Sequence, residues 1–375
     1  MIPEQVWLGS TPCPRRSGSA EGGFTLLDDQ PYSYIDHVDR LAPFLMTVVS
    51  ASDLWLFVCS NGPFTAGRAD PDGGLFPYQT VDKIMRHPYT SGSVTALLVH
   101  RDGRWMLWEP WRESSRAYGI RRRLCKHVYG TAVVFEETNT DLELCFRWGL
   151  TTCDRYGLVR ECSIQNLGPR PVSVRYLDGW QQMIPPGVSQ DFYARYSYLS
   201  SAYTRHERLG DLPMGVLSLS AAMGDSPDPR ESLRMAAAWS IGHPNPVVLL
   251  CDRQVEAFRR GEDVHGETAI RGELGAFAAV DEVTIAPGGS RRWILGADTG
   301  LDDAAVVRLC DELQSPDEMI GGVRRAVLAN THAIRRLIGG ADGLQHTADR
   351  GATAHHFANV LFNCMRGGTF ASGYA

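Results

Sequence analysis

Segment 60–83 combines polar and aromatic side chains whose types suit the binding of a hydroxylated ligand. Its two parts read Ser60-Asn-Gly-Pro-Phe-Thr-Ala-Gly-Arg68 and Leu75-Phe-Pro-Tyr78-Gln-Thr-Val-Asp82-Lys83. Aromatic rings stack on the apolar faces of sugars, and guanidinium and carboxylate groups bind pairs of hydroxyls. Arg68, Tyr78, Asp82 and Lys83 are therefore candidate sugar-binding residues on a loop. The alternative is a loop that an ion pair of Arg68 fastens to the rest of the fold.

Two further segments place aromatic residues beside a carboxylate. Trp105-Met-Leu-Trp108-Glu109-Pro110-Trp111 holds three tryptophans. Successive residues of a strand face opposite sides, so Trp105 and Trp111 share one face and Trp108 points to the other. Trp108 is a candidate stacking surface, with burial in the core as the alternative. Asp178 is expected to end a strand, where it either serves a binding site or caps the turn at Gly179.

No set of residues with the spacing of a catalytic centre is visible. Glu136 and Glu137 are neighbours in a predicted strand and face opposite sides, so they are not an acid–base pair. Asp302-Asp303 fits a helix cap. The sequence contains no H-E-x-x-H, C-x-x-C, P-loop, G-x-G-x-x-G or G-x-S-x-G pattern. We therefore predict no catalytic residues, no metal and no cofactor within this chain.

Composition and charge narrow the function classes. The 375 residues are 43% hydrophobic and 21% charged, with a net charge of -6, which indicates a globular protein. The mild negative charge disfavours nucleic acid and anionic membranes as partners. No apolar run approaches the about 18 residues of a membrane span, and the N-terminus has no signal-peptide pattern. The nine scattered cysteines are typical of buried free thiols, so we expect a cytoplasmic protein.

The elements that must position these residues are mostly strands. Short alternating or apolar runs separated by Gly, Pro, Asn and Asp predict a mainly β antiparallel sandwich. The predicted strands are 46–52, 54–60, 93–100, 105–109, 129–137, 141–149, 158–165, 171–178, 215–221, 234–241, 246–251, 276–286 and 291–296. Helices are predicted at 304–313, at 316–338, where Gly339-Gly340 would end the helix, and at 352–365.

Several patches together resemble a known family. They are Tyr156-Gly-Leu-Val-Arg160-Glu-Cys-Ser-Ile-Gln-Asn166-Leu-Gly168, Arg175-Tyr-Leu-Asp178-Gly-Trp180 with Pro186-Gly187, Trp108-Glu-Pro-Trp111, the 60–83 segment and His356-Phe-Ala-Asn359-Val-Leu-Phe-Asn363-Cys-Met-Arg366-Gly-Gly368. They are similar to the N-terminal β-supersandwich of inverting glycoside phosphorylases, the cellobiose-phosphorylase-like and β-glucan-phosphorylase-like enzymes. The resemblance spans about residues 45–368 in patches.

The resemblance implies a galactose-mutarotase-like supersandwich and an assignment of segments. Residues 1–44 would be an N-terminal extension, 45–300 the supersandwich and 301–375 a helical linker into an α/α barrel that carries the catalytic acid. The chain ends on Phe370-Ala-Ser-Gly-Tyr-Ala375, so we expect it to be the front part of a longer protein. No residue matches the catalytic acid. The domain would shape a sugar cleft and help a homodimer form, and inorganic phosphate would be the co-substrate that attacks a β-glucoside.

Two alternatives from other function classes stay open. A stand-alone mutarotase-like sugar epimerase needs a general acid and base, commonly a histidine and a carboxylate in one cleft. Its candidates are His100, His127, His206 and His243, beside Glu109 or Glu136. The second alternative is a purely structural or interaction sandwich, which the scattered thiols and mild charge allow.

Overall fold

The computed structural model describes residues 6–13, 18–221, 232–342, 347–354, 356 and 358. The strands of the first half are β1 (Val6–Leu8), β2 (Thr11–Cys13), β3 (Glu21–Leu27), β4 (Gln30–Asp36), β5 (Leu45–Val48), β6 (Leu54–Cys59), β7 (Phe64–Arg68), β8 (Gly92–Arg101), β9 (Arg104–Trp108), β10 (Ile120–His127), β11 (Ala132–Asn139), β12 (Leu144–Cys153), β13 (Gly157–Asn166) and β14 (Val172–Met183). Those of the second half are β15 (Thr204–Arg208), β16 (Met214–Leu219), β17 (Met235–Ile241), β18 (Val247–Leu249), β19 (Ala269–Arg271), β20 (Gly275–Ile285) and β21 (Ser290–Leu301). The helices are α1 (Val81–Arg86), α2 (Gln190–Ala202), α3 (Val255–Arg259), α4 (Asp303–Leu313) and α5 (Pro316–Asp342).

Two large antiparallel sheets face each other across one core. The larger has eleven strands in the order β19-β15-β16-β17-β21-β13-β12-β11-β10-β4-β3, and the smaller has five in the order β18-β20-β14-β8-β9. A three-stranded sheet, β5-β6-β7, closes one side of the core. Along β12 the inward side chains alternate with less buried ones, as expected for a sheet packed on one face. This arrangement confirms the predicted mainly β antiparallel supersandwich.

Large aromatic side chains fill the space between the two sheets. Tyr176 of β14 stacks on Trp293 of β21 with ring centroids 4.6 Å apart, so this contact joins one sheet to the other. Phe135 and Trp148 stack within the larger sheet at 4.0 Å. Burial of each such side chain contributes about 1.5–3 kcal/mol to the free energy of unfolding. These contacts fix the spacing of the sheets and therefore the positions of the polar groups between them.

The helices after the last strand cover the outer face of the larger sheet. Asp302 caps α4, because its carboxylate accepts a hydrogen bond from the Ala305 amide at 2.9 Å. Leu309 of α4 and Val323 of α5 join a cluster that includes Trp239 on the sheet. Within the described part of the chain, no helix is long and apolar enough to cross a membrane.

Several elements differ from the sequence-based expectations. Segment 1–44, expected as an extension, supplies β3 and β4, which pair with β10 at the edge of the larger sheet. Segment 60–83, expected as a loop, contains β7 and the start of α1. Helix α5 continues to Asp342, through Gly339-Gly340, because the helical hydrogen bonds tolerate glycine at modest cost. The helix predicted at 352–365 falls mostly outside the described residues.

Candidate functional site

Arg68 lies at the end of β7 and joins three segments that are distant in sequence. Its guanidinium donates from Nε and Nη2 to the two carboxylate oxygens of Asp298, at 2.7 and 2.9 Å. Nη1 donates to Asp53 at 2.6 Å, and Nη2 also donates to the Asp154 carbonyl at 2.7 Å. The ion pair by which Arg68 was alternatively expected to fasten its segment to the rest of the fold is therefore present. The forked guanidinium suits this arrangement because it binds a carboxylate through two parallel hydrogen bonds.

An open cleft of about 380 Å³, which we call the Arg68 cleft, adjoins this arginine. It lies where the end of β21 and the turn before β13 meet α4, so sandwich and helix both form its walls. A volume of this size falls within the range of small-molecule sites. Its lining residues are Arg68, Asp154, Arg155, Asp298, Thr299, Gly300, Leu301, Ala305, Arg308, Leu309 and Glu312.

The lining of the Arg68 cleft alternates cationic and anionic groups. Arg155 donates to Glu312 at 2.5 Å across the mouth of the cleft. Burial raises the pKa of Asp298, although Arg68 beside it acts in the opposite direction. Thr299 has a buried hydroxyl without a hydrogen-bond partner among the described residues. Arg308 is exposed and forms no ion pair within the described part of the chain, so it is available to a ligand.

Tyr78 lies beside a second feature, a group of half-buried aromatic rings on the small sheet. Its ring meets Trp55 edge-on at 5.7 Å, and Trp55 stacks on Phe57 at 5.8 Å. Gly67 allows this packing, because a Cβ there would lie 2.5 Å from the Trp55 ring. Residues 67 and 68 face opposite sides of β7, so the aromatic group and the Arg68 cleft lie on opposite faces of that strand. We call Trp55, Phe57 and Tyr78 the aromatic group.

Asp82 and Lys83 lie on α1 and are exposed. The Thr80 hydroxyl donates to an Asp82 carboxylate oxygen at 2.7 Å. This hydrogen bond lowers the pKa of Asp82. An acidic residue in the first turn also complements the positive end of the helix. Asp82 therefore stabilises the start of a short helix, and neither residue lines the Arg68 cleft.

Trp108 is fully buried between the sheets. Its indole Nε1 donates to Glu137 Oε1 at 2.8 Å, and Arg122 donates to the other oxygen of that carboxylate at 2.7 Å. The backbone amide of Trp111 donates to the same oxygen at 2.9 Å. The expectation that Trp108 faces a ligand is corrected, whereas the alternative of a core tryptophan holds. Glu137 faces inward and Glu136 outward, as the strand alternation predicts.

Asp178 is also buried, within β14 rather than at its end. It accepts hydrogen bonds from Arg160 at 2.5 Å, Thr95 at 2.7 Å and Trp293 Nε1 at 2.7 Å. Strand β14 continues to Met183, so neither the cleft role nor the cap of a turn at Gly179 describes this residue. Both roles fail because the Asp178 carboxylate is buried and its oxygens accept hydrogen bonds from side chains of both sheets. We call Arg160, Asp178, Thr95 and Trp293 the inter-sheet cluster.

The histidines of the epimerase alternative do not meet in one cleft. His127 and His206 are buried, and burial lowers the pKa of each to about 4. His243 lies within hydrogen-bond distance of the Tyr176 hydroxyl at 3.0 Å and 3.8 Å from Asp281. The ring of His100 packs on Trp105. None of the four lines the Arg68 cleft.

The described residues contain no group of three His, Cys, Asp or Glu side chains arranged to hold a metal ion. Seven described cysteines are free thiols: Cys59, Cys125, Cys145, Cys153, Cys162, Cys251 and Cys310. Burial raises the pKa of Cys59, Cys125, Cys145, Cys153 and Cys251 to between about 11 and about 12. Free thiols of this kind behave as small apolar side chains.

No family model matches the chain. No curated protein matches its sequence either. Its structure is similar to a bacterial glucoamylase complexed with acarbose, with a TM-score of 0.45 and 10% sequence identity, over 86% of this chain and 42% of that one. It is also similar to a GalM/aldose epimerase homologue from C. elegans, with a TM-score of 0.38 and 10% identity, over 70% of this chain and 100% of that one.

A protein described as a kojibiose phosphorylase from the human microbiome is similar as well, with a TM-score of 0.41 and 5% identity, over 88% of this chain and 35% of that one. The chain thus spans less than half the length of the glucoamylase and of the phosphorylase. At these identities the likeness concerns the fold.

Most residues of the Arg68 cleft were not foreseen from the sequence. Asp298 follows a predicted strand by two residues, and a polar residue at a strand end was a usable signal. Arg308 and Glu312 lie four residues apart on α4, a spacing that places them on one helix face. No local pattern, however, shows that this face adjoins Arg68.

Proposed function

We propose that this chain is a carbohydrate-associated sandwich domain of a glycoside phosphorylase-like or hydrolase-like enzyme, and that the Arg68 cleft binds a sugar. One observation carries this proposal: an open cleft that the end of the sandwich and the first helix after it build together, lined by fixed charged groups. A cleft of about 380 Å³ can accommodate a sugar ring. Charged hydrogen-bonding groups select hydroxyls more strongly than neutral ones do.

The groups lining the cleft support binding rather than catalysis. Asp298 accepts both of its short side-chain hydrogen bonds from Arg68, and Glu312 accepts from Arg155. An inverting reaction needs one carboxylic acid that can protonate the leaving oxygen. Burial raises the pKa of Asp298, but Arg68 holds both of its oxygens, so donating a proton to a sugar would require breaking that ion pair. The domain therefore contributes a wall of a sugar cleft and is not catalytic by itself.

The finer parts of the proposal come from the sequence resemblance. They are a β-glucoside as the substrate, inorganic phosphate as the co-substrate, a catalytic acid on a further α/α barrel, and a homodimer. The epimerase alternative has less support, because its candidate histidines and the cleft carboxylates lie apart. The structural-module alternative predicts that the folded protein binds no oligosaccharide, and the titration described next tests this.

Isothermal titration with β-linked gluco-oligosaccharides tests whether the cleft binds sugar. Arg308→Gln removes an exposed cation of the cleft and leaves the Arg68–Asp298 ion pair intact. We expect at least a tenfold loss of affinity, since a hydrogen bond to a charged group is worth about 1.5–3 kcal/mol. Arg104→Gln, an exposed arginine on the hairpin of β8 and β9, is the matched control and should bind like the wild type.

Two outcomes would contradict the proposal. Folded wild-type protein that binds no oligosaccharide in the panel would favour a purely structural module. Accelerated mutarotation of fresh α-glucose, followed by polarimetry, would show catalysis in this chain alone. A Tyr78→Ala variant separates the surfaces: unchanged affinity places the sugar in the Arg68 cleft, and a large loss places it on the aromatic group.

A further inference from the structure

A small pocket, partly open to solvent, lies between residues of the two sheets, next to the inter-sheet cluster and apart from the Arg68 cleft. Its volume of about 20 Å³ has room for one water molecule or one monatomic ion. Its walls are formed by the turn after β6, the start of β8, the segment that follows β9, and strands β12 and β13. The lining residues are Asn61, Gly62, Pro88, Ser93, Thr95, Pro110, Trp111, Arg112, Trp148 and Arg160.

Two buried guanidinium groups line this pocket. Arg160 is fully buried and donates from Nη1 to Asp178 and from Nη2 to the Thr95 hydroxyl. Its Nε is buried and has no hydrogen-bond partner among the described residues. Arg112, which is 8% exposed, donates from Nη2 to the Ser93 carbonyl at 3.0 Å. A buried donor without an acceptor costs about 1–3 kcal/mol, so the pocket favours an occupant that accepts hydrogen bonds.

The carboxylates around the pocket are engaged elsewhere. Asp178 accepts from three side-chain N–H or O–H groups, and Glu137 accepts from Arg122 and two tryptophan groups. Glu109 forms its ion pair with Arg259, at 2.8 Å. Arg112 is thereby left without a carboxylate partner within the described part of the chain.

The charged groups around Arg112 also leave its positive charge incompletely compensated. Burial lowers its pKa to about 10, and the positive charges of Arg259 and Arg160 act in the same direction, while Glu109 opposes them. A buried cation that keeps its charge needs a counter-charge or a dense set of acceptors. Its visible partners are one carbonyl and the face of the Tyr89 ring, 5.0 Å from the guanidinium carbon.

We propose that this pocket binds one chloride ion, held between Arg112 and Arg160. The ion accepts from the Arg160 Nε and from the Arg112 guanidinium and supplies the negative charge that the surrounding carboxylates do not. A phosphate or sulfate ion is too large for about 20 Å³. This inference is independent of the proposed sugar binding, because the pocket shares no residue with the Arg68 cleft.

The rival occupant is a water molecule. Asn61 Oδ1 has no hydrogen-bond partner among the described residues, while its Nδ2 donates to the Met85 carbonyl at 2.9 Å. A water molecule that accepts from Arg160 could donate to Asn61 Oδ1, whereas chloride could not. The two occupants therefore differ in whether the protein responds to the identity of the anion.

Bromide scattering tests the site directly. Crystals of the wild-type chain grown or soaked in sodium bromide should show an anomalous peak between Arg112 and Arg160. Peaks at exposed positions only would mean adventitious ions only. That result, or a pocket that contains water alone, would overturn the proposal. This measurement needs no variant, so a variant that fails to fold cannot prevent the decision.

Thermal unfolding supplies the second test. At constant ionic strength, replacing gluconate by chloride or bromide should raise Tm by a few degrees and then saturate, because the ion binds the folded state alone. Arg112→Gln should lose this dependence, and Arg104→Gln should keep it. Equal Tm values in chloride and gluconate for the wild type would overturn the proposal.

Discussion

Two arginine–carboxylate pairs in this fold lie in different surroundings. Arg160 donates to Asp178 from Nη1 alone, at 2.5 Å, whereas Arg68 donates from Nε and Nη2 to both oxygens of Asp298. In the inter-sheet cluster, the side chains of Arg160 and Asp178 are 1% and 0% exposed. At the Arg68 cleft, those of Arg68 and Asp298 are 19% and 4% exposed. The first pair connects β13 to β14 across the core, and the second connects β7 to β21 beside open space. Similar chemistry therefore stabilises the sandwich in one place and lines a cleft in the other.

The comparison shows that access to solvent, rather than residue type, separates the two roles. Asp178 is surrounded by donors from both sheets, so no ligand can replace a partner without opening the core. In the Arg68 cleft, Asp298 is buried but Arg68 and Asp154 are accessible, so a ligand hydroxyl could replace water there without opening the core. Removing one charge of the pair should therefore cost more unfolding free energy in the inter-sheet cluster than at the Arg68 cleft. Water can replace a lost partner only where it can enter.

The largest effect is expected for Asp178→Asn. The substitution keeps the shape of the side chain but leaves the Arg160 charge buried without a counter-charge. Breaking a buried pair in this way costs about 3–5 kcal/mol in the free energy of unfolding. Urea unfolding followed by fluorescence measures it, with Asp211→Asn at an exposed position as the control. A loss below about 1 kcal/mol would show that the buried cluster behaves like a surface pair.

The buried histidines set the pH dependence of stability. Burial lowers the pKa of His127, His206 and His243 to about 4 in the folded chain, whereas an unfolded histidine titrates near 6.5. The unfolded state therefore binds more protons below pH about 6.5, and stability falls as the pH decreases toward about 4.

Each of these three histidines contributes at most about 3 kcal/mol over that interval. Urea midpoints measured between pH 7 and pH 4.5 provide the test, and His206→Gln should flatten the curve. A stability that stays constant over this range would show that the three rings take up protons in the folded protein.

A smaller effect is expected for Arg68→Gln. Asp298 is buried, but Arg68 and its other partner Asp53 are partly exposed, so the loss of the ion pair should cost about 1–3 kcal/mol, less than the loss at Asp178. The same variant should weaken oligosaccharide binding, whereas Asp178→Asn that still folds should bind normally. Thermal unfolding and titration of both variants decide this. Equal destabilisation of the two would remove the distinction between the regions.

The smallest effect is expected for Asp36→Asn on the outer face of the larger sheet. Arg123 donates to Asp36 at 2.6 and 2.8 Å, but both side chains are partly exposed. The cost should stay below about 1 kcal/mol and shrink in high salt. Arg123 lowers the pKa of Asp36, so this contribution is present above the unfolded pKa near 3.8 and is lost as the pH falls further. A loss as large as that at Asp178 would contradict the role assigned to burial.

Most strands were predictable because their signal is local. Period-two alternation and turn residues placed the strand equivalent to β13 within one residue of its observed ends, and those equivalent to β12 and β21 within five. Strand β10 was missed, because Ile120-Arg-Arg-Arg-Leu-Cys-Lys-His127 is too rich in charge to indicate a strand. Its Arg122 is buried only because Glu137 of β11 lies beside it.

By itself, the sequence determined the fold class and the change from strands to helices near residue 301, and it singled out Arg68 as a candidate residue. The tertiary structure alone decided which charged residues share a site. Asp298 lies 230 positions from Arg68 along the chain, and Asp178 meets Arg160 only because two sheets pack face to face. Alternation along a strand is a short-range property of the backbone. Pairing across sheets depends instead on strand order and register, which no local pattern records.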